Sequence, residues 1–245
     1  MMRRTNSLGG AFQTIVDFFF PPHCVCCSNL LEKAGALCPD CLKRFLTEKQ
    51  RQCGGCLKVI QLCECPPKAS ASRGMSRLYK VFSYIPSRDD LVSNQLIYAI
   101  KNRNLYYSAK FLASELYDTI LLHGLNLNGY EITYIPASKK RMVELGYNQS
   151  AQVAKQLSSM LQIAVSPVLK RTKDTKPQKE LAGEKRIENT KVLFAVRKNA
   201  DLRGRKFLLL DDVCTTGSTL LSAGKALKDA GAAHVIYLSI SATSR

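Results

Sequence analysis

Acidic residues are scarce in this sequence of 245 residues. Its 19 Asp and Glu stand against 36 Lys and Arg, which gives a formal net charge of +17. A small domain needs far less charge to stay soluble, so the excess indicates an anionic partner without distinguishing DNA from RNA or a membrane surface. A hydrophobic content of 46% is that of a globular chain, and the length suits one ordinary domain with a small appendage.

A long apolar run is also lacking. Residues 8–22 hold only about ten apolar side chains and are interrupted by Gln13 and Asp17, whereas a helix needs roughly 20 to cross a bilayer. No small-residue cleavage site follows a clean apolar core, which argues against a signal peptide. We therefore predict no integral membrane segment and a cytoplasmic location. We interpret Phe18-Phe19-Phe20-Pro21-Pro22 as a hydrophobic plug that packs a small module onto a larger one.

Cysteine is nearly absent beyond residue 65, where only Cys214 occurs. Eight of the others form short pairs: Cys24-x-x-Cys27, Cys38-x-x-Cys41, Cys53-x-x-Cys56 and Cys63-x-Cys65. Each such turn directs two sulfurs to one side, and two turns complete a tetrahedral zinc site. In a reducing compartment, clustered thiols more often hold metal than form disulfides. The pattern predicts two zinc sites, with consecutive or crossed pairing of the turns, and leaves Cys26 as a spare thiol or a replacement ligand.

The predicted zinc sites are structural. The three histidines, at positions 23, 123 and 234, form no constellation, and no open three-ligand site with His or Glu is suggested. So short a segment has little room for a core, so metal coordination would supply the folding free energy that burial cannot. Loss of zinc should unfold the segment.

Strand and helix patterns alternate along the rest of the chain. Strands are predicted near residues 78–85, 131–135, 192–196, 207–210 and 235–240, and helices over 90–122, with a break near 102–104, and over 148–161. This alternation predicts an α/β domain with a mostly parallel sheet and helices on both faces. We predict four regions: an N-terminal amphipathic segment (1–22), a double zinc-binding module (23–67), a linker (68–77) and the α/β domain (78–245).

A phosphate-binding loop is predicted after the strand at 207–210. Asp211 and Asp212 follow that strand, and Thr215-Thr216-Gly217-Ser218-Thr219 opens an amphipathic helix. Free N–H groups and the positive end of the helix dipole bind phosphate, while paired carboxylates repel it but accept hydrogen bonds from sugar hydroxyls. A ribose carrying a 5′-phosphate satisfies both halves. The alternative is that the acids cap the loop and the hydroxyls cap the helix.

The segment from Asp211 to Thr219 resembles the phosphoribosyl-pyrophosphate signature of type I phosphoribosyltransferases. More narrowly, the chain is similar to the ComF family of competence-associated proteins across nearly all of residues 18–241. That resemblance rests on Phe-Phe-Pro-Pro before the double cysteine cluster, Ile135-Pro136-Ala137-Ser138, Leu145-Gly146-Tyr147-Asn148-Gln149, and Arg171-x-x-x-Thr175-x-x-Gln178-x-x-Leu181 with Arg186 and Asn189. Leu145 stands where the family usually has Arg.

The resemblance implies a type I phosphoribosyltransferase fold with an N-terminal double zinc ribbon, and a set of site residues. Asp211 and Asp212 would bind the ribose hydroxyls, and the turn Ala137-Ser138-Lys139-Lys140 would bind the pyrophosphate with Mg²⁺. The 5′-phosphate would be bound by Thr215, Thr216, Gly217, Ser218 and Thr219, and Val213 and Cys214 belong to the same phosphoribosyl-pyrophosphate site. Displacement of pyrophosphate leaves positive charge on the sugar and needs no protein nucleophile, so basic groups stabilise the leaving anion. Lys139 is the main candidate, beside Lys140, Arg141, Arg171, Lys173 and Arg186.

Two classes of function remain open. The resemblance implies a role in natural transformation, with single-stranded DNA and DNA-uptake ATPase or other competence proteins as partners, and the high positive charge fits a polyanion. The alternative is an active phosphoribosyltransferase that transfers phosphoribosyl to a nitrogenous base or amine. The acceptor is not indicated by the sequence, because residues 86–125 show no decisive acidic or aromatic pattern. A charged stretch at 171–189 is predicted to be a long loop, and such loops are usually functional.

Overall fold

The computed structural model describes residues 21–102, 105–172 and 194–243. Helices and strands follow one another as α1 (Pro39–Lys49), α2 (Lys68–Ala71), β1 (Tyr79–Tyr84), α3 (Val92–Asn102), α4 (Leu105–Leu122), β2 (Tyr130–Tyr134), α5 (Lys139–Leu145), α6 (Gln149–Leu161), β3 (Leu169–Arg171), β4 (Phe194–Val196), β5 (Lys206–Cys214), α7 (Ser218–Asp229) and β6 (His234–Thr243). Residues 1–20 of the predicted N-terminal segment (1–22), with most of the apolar plug, lie outside the described residues. So do residues 173–189 of the predicted loop.

Within the described residues, the central sheet has four strands in the order β1-β6-β5-β2, and each neighbouring pair is parallel. Strands β3 and β4 form a separate antiparallel pair. Side chains alternate across β5, so Leu208 and Leu210 pack with helices α3, α4 and α6, while Phe207 and Leu209 face α7. The predicted α/β fold, a parallel sheet with helices on both faces, is confirmed.

Strand β5 is longer than its apolar sequence suggests. The pattern predicted residues 207–210, whereas the strand continues through both acids to Cys214. Strand β6 supplies the reason, because its register pairs Asp211 with Ser239 and Cys214 with Ala242. The acids therefore stand on the carboxyl end of a central strand instead of in the turn after it.

The cysteine-rich segment contains a structural repeat with an offset of 29 residues. Cys24 N–H donates to Asn29 O at 2.8 Å, and Cys53 N–H donates to Lys58 O at 2.9 Å. Each turn is closed by an antiparallel bridge, His23 to Leu30 in the first and Gln52 to Val59 in the second. The two halves of the module thus present their first sulfur pairs in the same local geometry.

Helix α1 attaches this module to the α/β domain. Its Phe45 is fully buried in the main core and contacts Phe82 and Phe111 edge to face at centroid distances of 5.8 and 5.3 Å. The carboxylate of Glu48 accepts hydrogen bonds from the N–H groups of Val92 and Ser93, both at 2.9 Å. The module therefore caps the first turn of α3, which otherwise leaves amide donors without partners.

The segment predicted as a linker has structure of its own. Residues Lys68–Ala71 form the short helix α2, and Ser70 and Met75 are buried. The proposed boundaries of the four regions stay a prediction.

Candidate functional site

A cavity of about 470 Å³ opens at the carboxyl ends of the parallel strands, the edge where ligands bind in open α/β sheets. Its size is within the range that small-molecule sites occupy. It is lined by Tyr84, Ile135, Pro136, Ala137, Ser138, Arg141, Asn148, Gln149, Ser150, Arg171, Asp211, Asp212, Val213, Thr215 and Thr219. The structure thus brings together the acid pair, part of the predicted phosphate loop and part of the predicted turn at 137–140.

The acid pair is rigidly held in the cavity wall. Asp211 Oδ1 accepts the N–H of Asp212 at 2.9 Å, and Asp212 Oδ1 accepts the N–H of Val213 at 2.8 Å. Burial, together with the neighbouring charge of Asp212, raises the pKa of Asp211 well above its usual range. Arg141 lies on the open side, with its Nη1 3.9 Å from Asp212 Oδ2. The acid pair thus presents Asp212 toward Arg141, while Asp211 is buried beside it.

The phosphate loop connects this pair to helix α7, which begins at Ser218. Gly217 precedes the helix with a φ of +70°, a left-handed conformation that glycine adopts without strain. Thr215 and Thr219 line the cavity, while Thr216, Gly217 and Ser218 are not among the described residues that do. The thiol of Cys214 points away into the core, and burial raises its pKa to about 12.

The basic groups that line the cavity are among the predicted candidates, but the favoured Lys139 is not one of them. Ser138 caps α5 by accepting the N–H of Arg141 at 3.2 Å, and this start of the helix leaves Lys139 and Lys140 exposed. Among the described residues, Arg141 and Arg171 line the cavity and the two lysines do not. The predicted role of Lys139 stays a prediction that its position does not favour.

Residues at the start of α6 complete the wall and were not predicted as site residues. Asn148 caps the helix through its Oδ1 and donates to Ile135 O at 2.9 Å, which fixes α6 against the end of β2. Gln149 is buried, and its Nε2 has no hydrogen-bond partner among the described residues. A buried donor without an acceptor costs about 1–3 kcal/mol, which a ligand oxygen could recover. The signal available in the sequence was an Asn directly before a helical pattern, which is typical of the residue that caps a helix.

Tyr84 was missed for a different reason. Tyr84 ends β1, and β1 pairs with β6 in a register that places Tyr84 opposite Thr243. Only this pairing brings the carboxyl end of β1 to the loop. No local pattern marks it. Tyr98, in the segment 86–125 where the sequence indicated no acceptor site, donates to Asp89 Oδ1 at 3.0 Å.

The cysteines gather in two groups of four within the described part of the chain. Cys24, Cys27, Cys38 and Cys41 form the first cluster, and Cys53, Cys56, Cys63 and Cys65 form the second, with the sulfurs of each cluster within 4.8 Å of one another. Four sulfurs bound tetrahedrally to Zn²⁺ at 2.3 Å lie about 3.8 Å apart, and Cys27 Sγ and Cys38 Sγ are separated by 3.6 Å. Both clusters could bind zinc, and the turns are paired consecutively.

Backbone hydrogen bonds favour the thiolate form of one cysteine in each cluster. Burial opposes ionisation, but N–H groups of Cys27, Cys38 and Cys26 lower the pKa of Cys24 to about 7. In the second cluster the N–H groups of Gly55 and Cys56 likewise outweigh burial and lower the pKa of Cys53 to about 7. A thiolate is the form that binds metal.

Lys80 ties the second cluster to the sheet. This buried residue of β1 donates to Cys63 Sγ at 3.3 Å and to the carbonyl oxygens of Cys63 and Cys65, both at 2.9 Å. Such partners orient metal ligands and compensate their charge. Cys26 lies outside both groups of four.

Comparison with known proteins agrees with this geometry. Residues 148–242 match the phosphoribosyl transferase domain, a range that runs from the cap of α6 through the phosphate loop to β6. "Competence protein F" of Haemophilus influenzae is 30% identical over 227 residues, which cover 89% of this chain and 95% of that protein. The chain belongs to the ComF family. "DNA utilization protein YhgH" of Escherichia coli (strain K12) is 30% identical over 86% of both chains, and "Competence protein ComFC" of Streptococcus pneumoniae is 25% identical over 83% and 86%.

The coverage of these ComF relatives extends beyond the phosphoribosyl transferase match. An alignment over 89% of the chain leaves too few residues aside to omit the whole cysteine-rich segment, so the similarity includes at least part of it. Across the residues that the structure describes, we find no helix with the length and apolarity to traverse a membrane.

Proposed function

We propose that this ComF protein binds phosphoribosyl pyrophosphate in the cavity and acts in the cytoplasm on incoming single-stranded DNA during natural transformation. The observation that carries the first part is the convergence of the acid pair, the phosphate loop and two guanidinium groups on one cavity at the carboxyl edge of the sheet. The second part is supported by relatives named for competence and DNA utilization and by the net charge of +17.

Each part of the sugar pyrophosphate has a matching group in the cavity. Thr215, Thr219 and the first N–H groups of α7 would bind the 5′-phosphate, because amide donors and the helix dipole meet there. Asp211 and Asp212 would accept hydrogen bonds from the ribose hydroxyls. Arg141 and Arg171 would face the pyrophosphate, with Ala137 and Ser138 beside them.

Magnesium fits the same cavity on the chemistry of its donors. Mg²⁺ is usually bound by one or two carboxylates together with substrate phosphates. Asp211 and Asp212 are the carboxylates that line the cavity, so they would hold the ion with the bound pyrophosphate. Bound there, Mg²⁺ would neutralise charge on the phosphate oxygens.

Zinc in the two clusters is proposed as structural. Four thiolates close each site and leave no open position for a substrate. The module is also a candidate docking surface for a DNA-uptake ATPase or other competence proteins.

Salt-dependent binding tests the role in DNA handling. A fluorescently labelled single strand is titrated with the protein at several salt concentrations, with and without phosphoribosyl pyrophosphate and Mg²⁺. Binding through phosphate contacts should weaken steeply as salt rises, by roughly 0.7 log units per contact for each tenfold increase. Binding that does not respond to salt would contradict a polyanion site. In the host, the paired change Asp211→Asn and Asp212→Asn should lower transformation frequency if the sugar pyrophosphate is required.

An active phosphoribosyltransferase is the second candidate. It is favoured by the acid pair and the loop that follows it, which line one cavity together as a site for a phosphoribosyl donor would require. Pyrophosphate release is measured with a panel of nucleobases and amines. If the sugar pyrophosphate binds and no acceptor supports release, this candidate is abandoned and binding remains.

A further inference from the structure

Residues 65–75, which we call the strap, run from the second cysteine cluster to the back of the phosphate loop. Pro66 and Pro67 are buried, α2 follows, and Met75 closes the turn by donating its N–H to Ser70 O at 3.0 Å. The strap is therefore a packed element with its own hydrogen bonds.

The strap contacts the loop where the loop has no side chain. A Cβ placed on Gly217 would lie 2.3 Å from Ser70 Cβ and 3.5 Å from Met75 Cε. Ser70 is fully buried, and its hydroxyl donates to Pro67 O at 2.8 Å. Glycine at 217 therefore permits close packing of the strap, in addition to the left-handed backbone.

Arg73 joins the two segments directly. Its Nε donates to Ala69 O at 2.8 Å within the strap, and its Nη2 donates to Thr216 O at 2.7 Å in the loop. On the other side of the loop, Thr243 Oγ1 donates to Thr215 O at 2.9 Å. Two successive carbonyl groups of the phosphate loop are thus held from outside, one by the sheet and one by the strap.

The other end of the strap is fixed at the metal cluster. Lys80 holds the carbonyl groups of Cys63 and Cys65, and Leu78 N–H donates to Glu64 O at 2.9 Å. Cys65 is both a member of the second cluster and the first residue of the strap. The first cluster has no such continuation, because α1 follows Cys38 and leads to the opposite core.

We propose that the strap positions the phosphate loop, with Arg73 as its positioning residue, and that metal in the second cluster maintains this position. The inference rests on the proposed function, because the position of the loop matters only if the loop binds phosphate. It assigns the two zinc sites different roles: loss of the second weakens phosphate binding, and loss of the first does not.

Calorimetric titration of ribose 5-phosphate and of inorganic pyrophosphate, each with Mg²⁺, tests the role of Arg73. Arg73→Ala should weaken ribose 5-phosphate binding about tenfold, as expected for loss of a charged hydrogen bond, while pyrophosphate affinity stays within about twofold. Arg73→Lys should recover part of the loss. Arg203→Ala, which removes an exposed arginine paired with Asp201, is the matched control and should change neither affinity.

The role of the strap would be overturned if Arg73→Ala lost affinity for ribose 5-phosphate and for pyrophosphate equally. It would also be overturned if Arg73→Ala bound ribose 5-phosphate as tightly as Arg203→Ala does. If the wild-type protein binds pyrophosphate but not ribose 5-phosphate, the proposed phosphate loop fails and the strap proposal with it. If the wild type binds both ligands and Arg73→Ala changes neither, only the strap proposal fails.

A second pair of variants separates the zinc sites. Cys56→Ser and Cys27→Ser each remove one ligand, from the second and first cluster respectively, and zinc content is measured beside ribose 5-phosphate affinity. Each should lose about one zinc ion per chain, but only Cys56→Ser should weaken ribose 5-phosphate binding by about tenfold or more. Equal affinities in the two variants would refute the assignment, and Arg73→Ala tests the strap independently if Cys56→Ser does not fold.

Discussion

The buried ion pair between Lys49 and Glu115 gives the sharpest test of how the cysteine module is held on the domain. Lys49 ends α1, and its side chain is 7% exposed, while that of Glu115 in α4 is 10% exposed. Burial raises the pKa of Glu115, and the Lys49 ammonium opposes that rise. The pair is desolvated, so each partner depends on the other.

Lys49→Met keeps the length of the side chain but leaves the carboxylate without its cation. Removing one partner of a buried pair costs about 3–5 kcal/mol, whereas replacing both partners with apolar residues is close to neutral. We expect urea unfolding with zinc present to show this loss for Lys49→Met and a recovery of most of it in Lys49→Met with Glu115→Leu. Lys43→Met, on an exposed position of the same helix, should change stability by about 0.5 kcal/mol or less.

The penalty in Lys49→Met should also depend on pH with a defined sign. Glu115 without Lys49 has a still higher pKa when folded, so the folded state binds a proton that the unfolded state releases above about 4.5. The pKa of Glu115 is raised in the wild type as well, so the two proteins respond alike just above 4.5. Stability of the variant relative to wild type therefore falls as pH rises from the folded pKa of Glu115 in the wild type toward its higher value in the variant, by about 1.4 kcal/mol per pH unit. A variant as stable as Lys43→Met, or a double variant no better than Lys49→Met, would refute the docking role of the pair.

Three other outcomes are expected. Arg141→Ala should weaken phosphoribosyl pyrophosphate binding by about tenfold to a hundredfold in calorimetry, and Lys139→Ala by less than about threefold; the reverse order would favour the lysine. Cys26→Ser should retain two zinc ions per chain by metal analysis, since Cys26 belongs to neither cluster, and loss of one ion would make it a ligand. Hydrogen bonds from Arg205 lower the pKa of Glu131. In urea unfolding, wild type should therefore be more stable than Glu131→Gln by about 1 kcal/mol above pH 4.5, and this difference in stability should shrink below that pH. A difference that stays constant with pH would exclude an ionic contribution.

Features that depend on neighbours along the chain were predictable. Cysteine spacing indicated two four-sulfur clusters because a Cys-x-x-Cys turn determines its own geometry. Apolar periodicity located the four strands of the central sheet and helices α3, α4 and α6, and the break between α3 and α4 falls where Asn102 ends the first of them. It did not indicate α5 or β3. The acid pair and the loop after it were found because strand, turn and helix start are contiguous.

Features that depend on contacts between distant segments could not be predicted from the sequence. The sequence favoured Lys139 for its place after a strand, but capping by Ser138 starts a helix that brings Arg141 to the cavity. Gly217 was predicted only as part of the phosphate loop, and its sequence context did not indicate that Ser70 packs against it. Lys80 carried no signal, because only the fold places a lysine of β1 against the second cluster.

By itself, the sequence determined the chemistry that this ComF protein carries: two sets of thiols, an acid pair and a phosphate loop, each defined by short-range spacing. The tertiary structure alone decided which basic groups face the cavity, how the module docks through α1, and that the strap joins the second cysteine cluster to the predicted phosphate loop. The physical reason is that strand order and helix packing bring together residues as far apart as Arg73 and Thr216, and no local pattern encodes such a meeting.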